Sequence, residues 1–196
     1  MRYRYVIWPV NAGFMLLELL LVLSLLGAMA VAATPSVRNW LVRDHVEMQA
    51  QALLATLTYA RSEAIRRAMR ITVCRDDGYG RCSENHKQRA ATELNNWASG
   101  YLVLAELPTH LEQRRGMQVL RIQAPIEAVT IQGASAPLSF TPPAGQVIGG
   151  FRSFEIAART AAAGSGHVRV CRCVRIAAGG RSRIMNGSCV AANYAS

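Results

Sequence analysis

Between Phe14 and Ala33 the chain runs for twenty residues with one charged side chain, Glu18. A helix of that length rises about 30 Å, the thickness of a bilayer's hydrocarbon core. After Ala33 the composition becomes mixed and polar enough for a soluble domain, and the remaining length suits one domain of ordinary size. The organisation expected is one span and one domain. Glu18 is the anomaly, because an unpaired carboxylate inside a bilayer costs about 2.5–3.5 kcal/mol or more. Such a residue is tolerated where a partner neutralises it.

The residues ahead of the run, MRYRYVIWPVNAG, are weakly basic through Arg2 and Arg4. An ordinary signal peptide would place a small-residue cleavage site after the apolar core, and Ala28-Met29-Ala30 or Ala30-Val31-Ala32 offers one. A permanent single-pass anchor is a second reading. Gly13-Phe14 directly before the run, with Glu18 four residues beyond Phe14, points to something more specific. The string GFMLLELLLVLSLLGAMAVAATP resembles the N-terminus of type IV pilins. That resemblance implies a leader of residues 1–13, cut between Gly13 and Phe14 by a prepilin peptidase, and methylation of the new N-terminal Phe14. It implies that residues 14–34 form the transmembrane and assembly helix, with Glu18 paired to the amino terminus of a neighbouring subunit. Gly27 and Pro35 fall where pilins carry helix-weakening residues, whereas Met15 replaces the family's small polar residue.

Pro35 lacks a backbone donor and should bend or loosen the helix. Beyond it, Val46, Ala50, Leu53, Leu57, Ala60 and Ala64 repeat at spacings of four and three, the apolar stripe of an amphipathic helix over residues 35–70. From Ile71 short apolar runs alternate with turn residues, which predicts strands at 71–74, 100–105, 118–123, 128–132, 138–141, 152–157, 167–177 and 181–185. The stretch ALLATLTYARSEAIRRAMRITVCRDDGYGRCSENHKQRAATELNNWASGYLVLAE is similar to the GspH/FimT family of minor pilins and pseudopilins. The likeness rests on the helix end Ala60-Arg61-Ser62-Glu63-Ala64-Ile65, a strand leading to Cys74, and Trp97-x-x-Gly100 before the next strand. It implies an α+β fold, one long helix packed on a β-rich head of residues 71–196. Trp97 itself reads as core packing.

Five cysteines, Cys74, Cys82, Cys171, Cys173 and Cys189, suit disulfides in an exported domain, with one left over. Zinc held by His167, Cys171, Cys173 and Cys189 is the competing reading, but no C-x-x-C pair is present. Cys74 and Cys82 bracket the turn Asp76-Asp77-Gly78-Tyr79-Gly80, where a bridge would staple it. Cys189 reaches Cys171 or Cys173 across the last hairpin. A turn centred on Gly179-Gly180 favours Cys171, subject to a one-residue slip of register.

Net charge is +10, and the segment from Phe151 onward holds seven arginines against one acid, Glu155. Such a bias points to a polyanionic partner. No nucleophile–base pair or phosphate-binding glycine loop is legible, so neither an enzyme nor a cofactor is expected. Along a strand from His167, Val168, Val170, Val174 and Ile176 share one face, interrupted by Arg172, and Arg169, Cys171, Cys173 and Arg175 share the other. Arg181 and Arg183 follow two residues apart. Arginine forks suit phosphate oxygens, and 21 of the 22 basic residues are arginine.

Gly180-Arg181-Ser182-Arg183 resembles the GRxR pattern near the end of FimT-type proteins, whose members bind DNA in natural transformation. The resemblance carries DNA contact to Arg181 and Arg183, and more weakly to Arg169 and Arg175. It implies sequence-independent DNA binding by a pilus subunit that partners other pilins, starting as a single-pass inner-membrane protein with its head in the periplasm. The alternatives are a GspH-like pseudopilin of a type II secretion system with a purely structural role, and a minor pilin needed only for assembly.

Overall fold

The computed structural model describes residues 16–83, 95–107, 116–133, 136–150, 152–159 and 170–189. Two units are separable, 1–40 and 41–196. Helix α1, Leu16–Arg67, crosses the boundary. In the first unit its side chains from Leu16 to Val31 are exposed. Among the described residues no helix is long and apolar enough to cross a membrane; the described side chains of the apolar run end at Val31. The backbone stays helical through Gly27 and Pro35, so the loosening expected at Pro35 does not interrupt the helix. Proline removes one backbone bond there, and the turns on either side continue the path.

In the second unit, every residue of the stripe Val46, Ala50, Leu53, Leu57, Ala60 and Ala64 is fully buried. The helix ends where Ala68 takes a left-handed conformation (φ 51°), the geometry of a helix C-terminal cap. Glu63, only 7% exposed, accepts bonds from Arg66 and Arg67 in that last turn.

Among the described residues nine strands follow: β1 Ile71–Arg75, β2 Tyr101–Leu107, β3 Gly116–Gln123, β4 Val129–Gln132, β5 Leu138–Thr141, β6 Gln146–Val147, β7 Arg152–Ala158, β8 Cys171–Ile176 and β9 Ser182–Asn186. They form an antiparallel five-stranded sheet, β3-β2-β1-β5-β6, and an antiparallel four-stranded sheet, β4-β7-β8-β9. The helix stripe and both sheets share one core, whose aromatic centre is Trp97. Trp97 is 1% exposed and meets Phe154 edge to face at 4.9 Å. Such pairs add about 0.5–1.5 kcal/mol beyond area burial. Gly100 then turns at φ +112°, with its Cα so close to the Gln123 carbonyl that a Cβ would lie 3.0 Å from it. Asn96 Oδ1 accepts from Ala98 N and from Ile131 N, tying this turn to β4.

The predicted strands are present with ends shifted by a residue or two, except that the run expected over 167–177 is a strand over Cys171–Ile176, and its residues 167–169 lie outside the described residues. The two-residue strand β6 has no sequence signature. It exists because β5 turns back at 142–145 and pairs Phe140 with Val147.

Cys74 and Cys82 form the expected bridge. The second joins Cys173 to Cys189, correcting the expected Cys171–Cys189 pair. The hairpin register sets Cys173 opposite Met185, one residue short of the register expected, so Cys171 falls opposite Gly187, beyond the ladder. The C-terminal segment then crosses back over β8 to Cys173. Cys171 is buried and lies outside both bridges.

Candidate functional site

Strand alternation sorts the second sheet into two faces. Phe154, Ile156, Val174 and Ile176 point into the core. Arg172 lies on this same side, where an arginine looks misplaced, and it reaches Glu47 of α1: its Nε donates to Oε2 at 2.6 Å. The opposite face carries Ser153, Arg175 and Arg183 in one row, paired across β7, β8 and β9. Neighbouring strands lie about 4.8 Å apart, and Arg181 stands two residues, about 6.6 Å, along from Arg183.

At the end of the sheet where β7 begins, β8 ends and β9 begins, these side chains border a groove of about 730 Å³. It is lined by Arg152, Ser153, Arg175, Ile176, Ala177, Arg181, Ser182 and Arg183. Four of the eight are arginines, and no carboxylate or aromatic ring is among them. Arg181 and Arg183 are exposed, and among the described residues no carboxylate pairs with either. Glu155, the one acid of the C-terminal segment, is on the Arg175 face but is engaged by Ser188 Oγ at 2.6 Å and Cys189 N at 3.0 Å. Arg175 Nη2 donates to the Cys189 carbonyl at 3.1 Å, so the C-terminal segment helps place that guanidinium.

The turn that presents Arg181 is fixed by backbone bonds. Ala177 N donates to Arg181 O, Gly180 N to Ala177 O, and Val147 N to Ala178 O, all within 2.9 Å. Gly180 has φ +76°, and a Cβ there would lie 1.9 Å from the Gly145 carbonyl oxygen. Gly145 rests in turn on the Arg61 stem, whose Nη2 donates to Ala144 O at 3.3 Å. The helix end, the β5–β6 turn and the arginine-bearing hairpin therefore meet at Arg61, Gly145 and Gly180.

Of the residues singled out in the sequence, Arg175, Arg181 and Arg183 come together in the groove. Arg169, Gly13 and Phe14 lie outside the described residues. Glu18 sits exposed in the first turn of α1. Arg152 was missed, since only the register of β7 against β8 brings it to the groove.

The strongly perturbed titratable groups lie elsewhere. Glu63 is lowered to about 2 by its bonds to Arg66 and Arg67. Glu47 is lowered by Gln51 and then by Arg172. Asp77 is lowered chiefly by the backbone N–H of Tyr79 in the Cys74–Cys82 turn. The Tyr101 phenol is raised by burial, partly offset by Thr56. Each has a structural cause, and among the described residues no group of three or more metal-ligating side chains gathers.

The chain is similar in fold to the type IV minor pilin FimU of Pseudomonas aeruginosa strain PAO1, in two crystal forms. At 21% identity and a TM-score of 0.47, the first alignment covers 71% of this chain and 91% of that one, and the second 74% and 90%. No curated protein matches the sequence. The family model for the type II transport protein GspH matches residues 49–180, two thirds of the chain, from within α1 through β8 to the turn before β9. The chain belongs to the GspH family of minor pilins and pseudopilins.

Proposed function

We propose that this chain is a FimT-type minor pilin that binds DNA without sequence preference through the groove at the end of its second sheet. One observation carries the reading: four arginines and no carboxylate line a single concavity. Guanidinium forks match phosphate oxygens, and a site without aromatic rings grips the backbone rather than stacking bases. Binding of this kind releases counterions, so affinity falls steeply with salt.

The same reading assigns residues 1–13 to a leader removed by prepilin peptidase, Phe14 to N-methylation and residues 14–34 to an inner-membrane anchor, with the head in the periplasm before assembly into a pilus. The Gly13-Phe14-Glu18 spacing supports it. An intact mass matching a chain that begins at methylated Phe14 is expected; a mass retaining Met1–Gly13 would remove this part of the reading.

The test of DNA binding is titration of the full-length protein, in neutral detergent, with labelled duplex DNA at several salt concentrations. Wild type should bind in a salt-sensitive manner and Arg181→Ala plus Arg183→Ala should abolish it. No binding by wild type, or binding unchanged by the double substitution, overturns the proposal. The former result favours a GspH-like pseudopilin with a purely structural role, a reading supported by the description of the matching family.

A further inference from the structure

The geometry points to Arg152 as a further phosphate-binding residue of the groove, held in place by Gly149, so that a phosphodiester backbone is gripped from both faces of the sheet end. This rests on the DNA reading above and adds to it a residue outside the hairpin that carries the other arginines. Arg152 pairs with Ile176, and its neighbours at i+2 and i+4, Phe154 and Ile156, are buried in the core. By strand alternation its Cβ therefore leaves from the face opposite to Arg175 and Arg183. It remains accessible because β7 begins at this residue, and it lines the groove from the far side.

Its placement is specific. Arg152 Nη1 donates to the carbonyl of Gly149, closing a short loop over the preceding glycines. Gly149 has φ +92°, and a Cβ there would fall 2.3 Å from Arg152 Nη2. The positive φ favours glycine, and a Cβ there would push the flexible guanidinium aside. A guanidinium carries five donors in a planar fork, and the bond to Gly149 helps set its plane. A fork oriented before binding loses less side-chain freedom when it meets a phosphate. Four arginines and no carboxylate in the lining make one concavity of positive charge, which a polyanion complements.

The test uses full-length protein in neutral detergent and a labelled duplex of arbitrary sequence, titrated across a salt series. Arg152→Gln should weaken binding about tenfold and lower the log–log salt slope by about 0.9, the share of one phosphate contact. Gly149→Ala, which leaves the net charge unchanged, should weaken binding in the same direction by displacing the fork. Arg152→Lys keeps the charge but not the fork; it should hold the slope near wild type at reduced affinity, and it serves as the comparison should the Gln variant melt early. Arg159→Gln, at the other end of β7, removes equal charge outside the groove and should bind as wild type does. If wild type itself fails to bind, the DNA reading falls and this inference with it. If wild type binds and loses binding on substitution of Arg181 and Arg183, while Arg152→Gln and Gly149→Ala bind normally, only the assignment of Arg152 is overturned. An equal loss in Arg159→Gln would reduce the effect to net charge and also overturn it.

Discussion

Arg172 on β8 and Glu47 on α1 form an ion pair at 2.6 Å, joining elements 125 residues apart in the chain. It explains why an arginine interrupts the apolar face of β8: the guanidinium emerges at the edge of the core, where the helix supplies a carboxylate. Both side chains are partly exposed, so the pair contributes modestly, about 0.5–1 kcal/mol after solvent screening.

Acid should weaken the head through its depressed carboxylates. Glu47 and Glu63 titrate lower in the folded chain than in the unfolded one, where a glutamate titrates near about 4.3. Their stabilisation is thus fully present above that value and is lost as pH falls through the folded values, down to about 2 for Glu63. Urea unfolding at successive pH values should show stability falling across this window. Glu63→Gln should flatten the fall, and an unchanged profile would contradict the assignment.

Gly180→Ala should destabilise by about 1–3 kcal/mol, because the left-handed conformation and the Gly145 carbonyl both exclude a Cβ. Since the turn presents Arg181 and Arg183, DNA affinity should fall in the same variant at temperatures where it is still folded. Thermal melts and titration measure the two effects separately. Gly179→Ala next to it, where a Cβ meets nothing within 4 Å, is the control.

Cys171→Ser should leave both disulfides in place, and peptide mapping without reductant should return Cys74–Cys82 and Cys173–Cys189. Cys189→Ser should cost about 3 kcal/mol, the chain-entropy value for a loop of this length. It should also release the carbonyl that holds Arg175, giving a small loss of DNA affinity on top of the loss of stability. Recovery of a Cys171–Cys189 peptide from wild type would reverse the pairing described.

Under the pilin reading, Glu18→Gln should insert into the membrane but fail to enter filaments, since the amide cannot offset a neighbour's amino terminus. Membrane fractionation beside sheared filaments measures both. Filament yield equal to wild type would remove the charge-pair role of Glu18.

The residues themselves determined whatever depends on short-range order. The α1 stripe is buried from Val46 to Ala64 because a period of 3.6 fixes which side chains share a face. The Cys74–Cys82 bridge follows from a turn only eight residues across, and Trp97 goes to the core as its size requires. Only the tertiary structure decided what depends on register between distant strands. The C-terminal segment turns back across β8 after the hairpin, which places Cys189 at Cys173 and not at Cys171. The pairing of β7 with β8 brought Arg152 beside arginines of another hairpin, and the packing of α1 gave Arg172 its carboxylate. Sequence periodicity says which face a side chain takes within its own element. It says nothing about which residue of another element arrives opposite, because that is set by the summed packing of the whole core.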